Sequence, residues 1–204
     1  MKRQQIVDTI NSLQGDTGHK KVVEIYNSQS KLPRGYKIKY SDAWCAATVS
    51  AVFLMNGCNT FSECSCAEMI KKAQAAGIWI EDDNYRPSIG DVMLYDWQDS
   101  GSGNNKGVPD HVGVVVEVTG ETLYVREGNK SGSIGNRVMR VNGRYIRGYI
   151  VPTYEGSDQI YSEDTPLRVL VDDIILGRLG DGAIRKNNIY NVVQSLVNQR
   201  LIKK

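Results

Sequence analysis

Two periodicities divide the chain. Up to about residue 80, apolar side chains recur every three or four positions, the repeat that lines one face of a helix. Ile6, Ile10 and Leu13 mark a helix near residues 3–13, and Val22, Val23, Ile25 and Tyr26 a second near 19–28, with Gln14 to Gly18 between them. Pro33 and Gly35 interrupt the pattern as loop residues. A third helix is expected from Ser41 or Asp42, either of which can cap it, to about Asn56, where Gly57 supplies the stop. Its buried face would carry Ala46, Val49, Val52 and Phe53, and a fourth helix would run from Ser65 to Ala76.

Beyond Pro87 to Gly90 the pattern changes to short runs of apolar and β-branched residues bounded by Gly and Asn. Residues 91–97, 111–118, 122–127, 136–141 and 145–151 read as strands, with loops at 98–109 and 128–132. Asn142-Gly143 is the clearest hairpin signal. Helices first and an antiparallel meander second predict an α+β domain over residues 1–152. Residues 153–166 carry four acids and no base, the composition of a linker. Residues 167–204 regain helical spacing through Ile189, Val192, Val193, Leu196, Val197 and Leu201. So short a unit is marginal alone, so tight packing or docking is expected.

Composition narrows the function. A net charge of +2 argues against a dedicated nucleic-acid binder. No apolar run approaches the ~18 residues that span a bilayer, so no membrane segment is expected. Met1 to Asp8 is charged and lacks the apolar core and cleavage site of a secretory signal. Synthesis in a cytoplasm is the corresponding expectation, with another agent providing release if the protein acts outside. The four cysteines are Cys45, Cys58, Cys64 and Cys66. The Cys64-Ser65-Cys66 spacing is too close for an ordinary bridge and unusual for zinc, and only two histidines are present. Neither a metal site nor a cofactor is expected.

Cys45 follows Trp44 at a helix start, where the dipole favours the thiolate. A thiol nucleophile needs a base and an orienting group. His19 lies among Lys20 and Lys21 and is expected on an exposed helix surface. His111 opens the strongest strand after a flexible loop, and so can line a cleft. An antiparallel hairpin from His111 brings residues near 127 alongside, where Glu127 or Asn129 could accept the second imidazole N–H. Two other readings stay open. One is a non-catalytic wall- or partner-binding protein with an inert Cys45, and the other an intracellular cysteine protease.

The order of these pieces resembles a known family. The cysteine-bearing helix, Gly90-Asp91-Val92, Asp110 to Val115 and Glu127-Gly128-Asn129 are together similar to a CHAP domain over roughly residues 5–152. These cysteine, histidine-dependent amidohydrolases and peptidases cut bacterial peptidoglycan. The resemblance implies a papain-like fold, with Cys45 as nucleophile, His111 as base and Glu127 and Asn129 as polar partners. Calcium-binding members carry an Asp-rich loop before the cysteine. Here Gly35 to Tyr40 holds two lysines, so no calcium is expected there. The tail resembles a Cpl-seven-type wall-binding repeat, with Leu179 in place of the usual tryptophan. That likeness implies a grip on the glycan through Arg178, Asp181 and Gly182. The whole is similar to a phage endolysin, and muramoyl-L-alanine amidase activity is placed ahead of endopeptidase activity.

Overall fold

The computed structural model describes residues 1–101 and 105–154, with single helical positions at Ile189 and Val193. The chain divides into two compact units, one of Arg3–Pro152 with Met1 and one of Thr153–Lys204 with Lys2. The expected acidic linker and helical repeat, with Arg178, Asp181 and Gly182, lie outside the described residues.

The first unit is α+β. Its helices are α1 (Arg3–Ser12), α2 (Gly15–Asn27), α3 (Cys45–Met55) and α4 (Cys66–Ala75), with a short 3-10 turn at Pro33–Gly35. The strands are β1 (Trp79–Ile80), β2 (Val92–Tyr95), β3 (His111–Thr119), β4 (Thr122–Lys130), β5 (Ser133–Arg140) and β6 (Ile146–Ile150). All pair antiparallel in one sheet of order β1-β6-β2-β3-β4-β5.

Two sequence expectations need correction. Asn142-Gly143 does turn the chain, with Asn142 at φ 53° and Gly143 N–H donating to Arg140 O at 2.9 Å. It does not make a β5–β6 hairpin, because β6 crosses back to fill the place between β1 and β2. The meander therefore covers only β2 to β5. β6 is buried at all five positions, Arg147 included, and its place between β1 and β2 pairs both of its edges.

α3 also differs. One buried face was expected, yet every residue from Cys45 to Phe53 is buried. A helix apolar on all sides belongs in an interior. α3 lies there, between α1 and α2 on one side and β3 and β4 on the other. On the sheet, Met93, Tyr95, Val115, Leu123, Val125, Ile146 and Tyr149 form the core cluster.

A buried carboxylate ties α1 to the start of β2. Asp91 is fully buried. Its Oδ1 accepts from Arg3 Nη1 at 2.6 Å, and its Oδ2 accepts from the Tyr85 hydroxyl at 2.9 Å and the Ser88 N–H at 2.8 Å. Asp91→Ala would strand those donors in the interior. The expected loss is about 3–5 kcal/mol, the usual cost of removing one partner of a buried ion pair. Urea unfolding should show it as a lowered midpoint with an unchanged slope.

Candidate active site

Cys45 is the first residue of α3, and its N-cap is Trp44, not Ser41 or Asp42. Asp42 is engaged elsewhere, its Oδ2 accepting from the Tyr36 hydroxyl and the Lys39 N–H, each at 2.8 Å. The later start moves the thiol to the very end of the helix, where the first N–H groups lack intrahelical partners and the dipole is strongest. Trp44 is buried and stacks on His19 with ring centroids 4.0 Å apart and planes 10° from parallel. His19 is thus a packing residue rather than the exposed one expected. Tyr40 meets it edge-on at 5.3 Å, and burial lowers its pKa.

His111 begins β3 and pairs with Tyr95 of β2. Its Nε2 lies 3.1 Å from Glu127 Oε2, which leaves Nδ1 as the ring nitrogen available to Cys45, the neighbour whose interaction raises the His111 pKa. Two glycines make room for this. Gly113 sits two residues from His111 on the same face, and a Cβ there would come within 2.8 Å of Glu127 Cγ. A Cβ on Gly128 would collide with the Thr48 side chain of α3. Without these two gaps, β4 could not bring Glu127 beside β3 while lying against the helix that carries Cys45.

Asn129 lies two residues beyond Glu127 on β4. It stands at φ 57°, where the β4–β5 register shifts between Glu127 and Lys130. A short polar side chain tolerates this left-handed turn, and the imidazole's second hydrogen bond goes to Glu127.

The electrostatics follow from the contacts. The Cys45 thiol is held at about 5, down from 9.0. The Cys66 thiol, 4.0 Å away, donates to it; burial opposes the shift; His111 and the Ala46 N–H add to it. Burial pulls the His111 pKa down, but the hydrogen bonds and charges of Cys45 and Glu127 win and raise it to about 9. Burial likewise resists ionisation of Glu127, and the bonds from His111 and Arg137 keep its pKa lowered. Between those values the site is a thiolate–imidazolium pair, the reactive form of a catalytic thiol.

Cys66 and Arg137 were missed by sequence reasoning. For Cys66 a signal existed. Ser65 caps α4 and its side chain accepts from Glu68 N–H, the Ser-x-x-Glu spacing that places the intervening thiol at a helix start. Arg137, which donates to Glu127 Oε1 at 2.6 Å and Oε2 at 3.0 Å, had none, since only strand register brings it there. All four cysteines are free. Among the described residues, no three His, Cys, Asp or Glu side chains are grouped to hold a metal.

A thiolate, an imidazole and a carboxylate in this order suit nucleophilic hydrolysis, and one family model falls on the segment that holds them. Residues 35–129 match the CHAP domain. The CHAP segment contains Cys45, His111, Glu127 and Asn129 and leaves α1, α2, β5 and β6 outside. It supports a cysteine- and histidine-dependent amidohydrolase or peptidase, the class of enzyme that typically acts on peptidoglycan. No curated protein and no solved structure matches the chain.

Cys66→Ala removes the donor nearest the thiolate. The acid limb of Cys45 alkylation by iodoacetamide is expected to move up by about one pH unit, with an unchanged limb counting against the Cys66 contact.

Proposed function

We propose that the protein is a peptidoglycan hydrolase in which the Cys45 thiolate attacks an amide carbonyl of the bacterial wall. The Cys45–His111–Glu127 alignment inside the CHAP segment carries this reading. His111 donates its proton to the leaving amine, and Glu127 orients the ring and stabilises its charge. Water activated by the same imidazole then resolves the thioester. The backbone N–H of Cys45, at the open end of α3, is an oxyanion donor. Asn129, the other polar partner that the family resemblance implies, stands two residues beyond Glu127 on the same strand.

The bond we assign is the amide between muramic acid and L-alanine, with stem or cross-bridge peptide bonds as the second choice. An endolysin role goes with it, in which residues 167–204 hold the wall through Arg178, Asp181 and Gly182. Support for that part is the likeness of the tail sequence to a wall-binding repeat. A purely binding role for the protein sits poorly with a thiol whose pKa is lowered to about 5.

Cys45→Ala is expected to abolish lysis of purified sacculi while leaving the fold intact. Mass spectrometry of the wild-type digest should find muramic acid freed of its peptide; products cut only within peptides would replace amidase by endopeptidase. Full lytic activity in Cys45→Ala would sink the mechanism.

The pH dependence has a definite sign. Below about 5 the Cys45 thiolate takes up a proton, and above about 9 His111 loses the proton that the leaving amine needs. Hydrolysis should therefore follow a bell with limbs near those values, which belong to the coupled pair rather than to either residue alone. Initial rates of sacculus clearing from pH 4 to 10 would test it, and a single ascending limb near the ordinary thiol value would contradict it.

A further inference from the structure

Glu127 is wholly buried, yet His111 engages only one of its two oxygens. A carboxylate held away from water with one hydrogen bond is costly, and the remaining oxygen must be answered from within. Arg137 answers it. Its Nε donates to Oε1 at 2.6 Å and its Nη2 to Oε2 at 3.0 Å, so Oε2 serves both the imidazole and the guanidinium.

Strand register makes this reach possible. β5 turns alternate residues inward, with Arg137 and Met139 more covered than Asn136 and Val138. Gly135 stands opposite Glu127 and Arg137 opposite Val125. Arg137 is thus the diagonal neighbour of Glu127 on the same face, and its side chain extends over the carboxylate. The guanidinium is further held above the Trp97 ring at 4.8 Å and the Tyr95 ring at 5.4 Å.

We propose that Arg137 is a positioning residue of this site, tethering Glu127 at both oxygens so that the carboxylate is a fixed and partly neutralised partner of His111. The proposal rests on the hydrolase reading for its kinetic consequence but not for its electrostatic one. Arg137 lies beyond the residues that match the CHAP domain, so the match does not assign it. In the ion-pair state the buried Cys45, His111 and Glu127 and the half-buried Arg137 sum to zero charge, and loss of the guanidinium would leave the set one unit negative.

The groups facing His111 are Cys45 from α3, Tyr95 from β2 and Glu127 from β4. Arg137 of β5 stands behind Glu127, and Cys66 of α4 behind Cys45. Burial and the Glu127 charge keep the Tyr95 phenol protonated. Asp110, beside His111 in the chain, accepts from the Trp97 N–H at 2.7 Å. Glu127 is packed against Gly113 and wholly buried. Removing the Arg137 charge therefore concentrates the carboxylate on the imidazolium, raises the His111 pKa and makes it a weaker acid toward the leaving amine.

Arg137→Gln is the test. NMR of the imidazole resonances can follow His111 directly, since the chain has two histidines. The His111 titration should rise by about half to one pH unit, and kcat on sacculi should fall about tenfold, with KM within about twofold. In a Glu127→Gln background the same substitution should cost nothing further, because the residue acts through that carboxylate. If Arg137→Gln destabilises the fold, Arg137→Lys keeps the charge while losing the fork. That variant should lower kcat with the His111 titration within about 0.3 unit of wild type. An unchanged or lowered His111 titration in Arg137→Gln overturns the proposal, as does an equal loss of kcat in the Glu127→Gln background. If the wall substrate were wrong, sacculus turnover would be absent in wild type, while the His111 shift would still appear.

Discussion

An ionised carboxylate with no exposed surface is the constraint around which this site is built. Isolated burial of such a charge costs far more than a domain's net stability, so every neighbour of Glu127 must compensate. His111 and Arg137 supply the donors, and Gly113 supplies the space. Gly128 then allows the strand carrying that carboxylate to lie against α3. Charge satisfaction and close packing are here one requirement. A side chain at either glycine would separate the elements that the ion pairs hold together.

The thiol is arranged by the same logic from the helical side. Cys45 and Cys66 each begin a helix, and their sulfur atoms come to 4.0 Å. A thiolate there gains the field at the α3 terminus, the Ala46 N–H, the Cys66 thiol and the imidazolium. Burial opposes every one of these gains. The charged form wins because several short contacts act together where solvent screening is weak. α3 can present its first residue this way because it is buried on all sides through Phe53 and anchored between two layers.

Local signals in the chain made much of this legible. The change from three-four spacing to strand-like runs marks the α+β order, and with two histidines in the chain His111 is the candidate base. Trp44 rather than Ser41 or Asp42 caps α3, although a polar residue before an apolar run is a good local cap. It is displaced when its side chain finds other backbone partners, as Asp42 does at Lys39. His19 was misread for a related reason. Its lysine neighbours are exposed, but the one position facing Trp44 is not, and sequence adjacency does not report facing direction.

What the sequence determined by itself was the set of elements and the chemistry they could carry. It gave a thiol at a helix start, an imidazole at a strand start and an acid one hairpin away. These follow from periodicity and from local capping and turn rules, which act over a few residues. Only the tertiary structure placed β6 between β1 and β2, set Cys66 against Cys45 and reached Arg137 across to Glu127. Those outcomes depend on register and on which faces are left to bury. Both are settled by contacts between residues distant in the chain, and no local pattern encodes them.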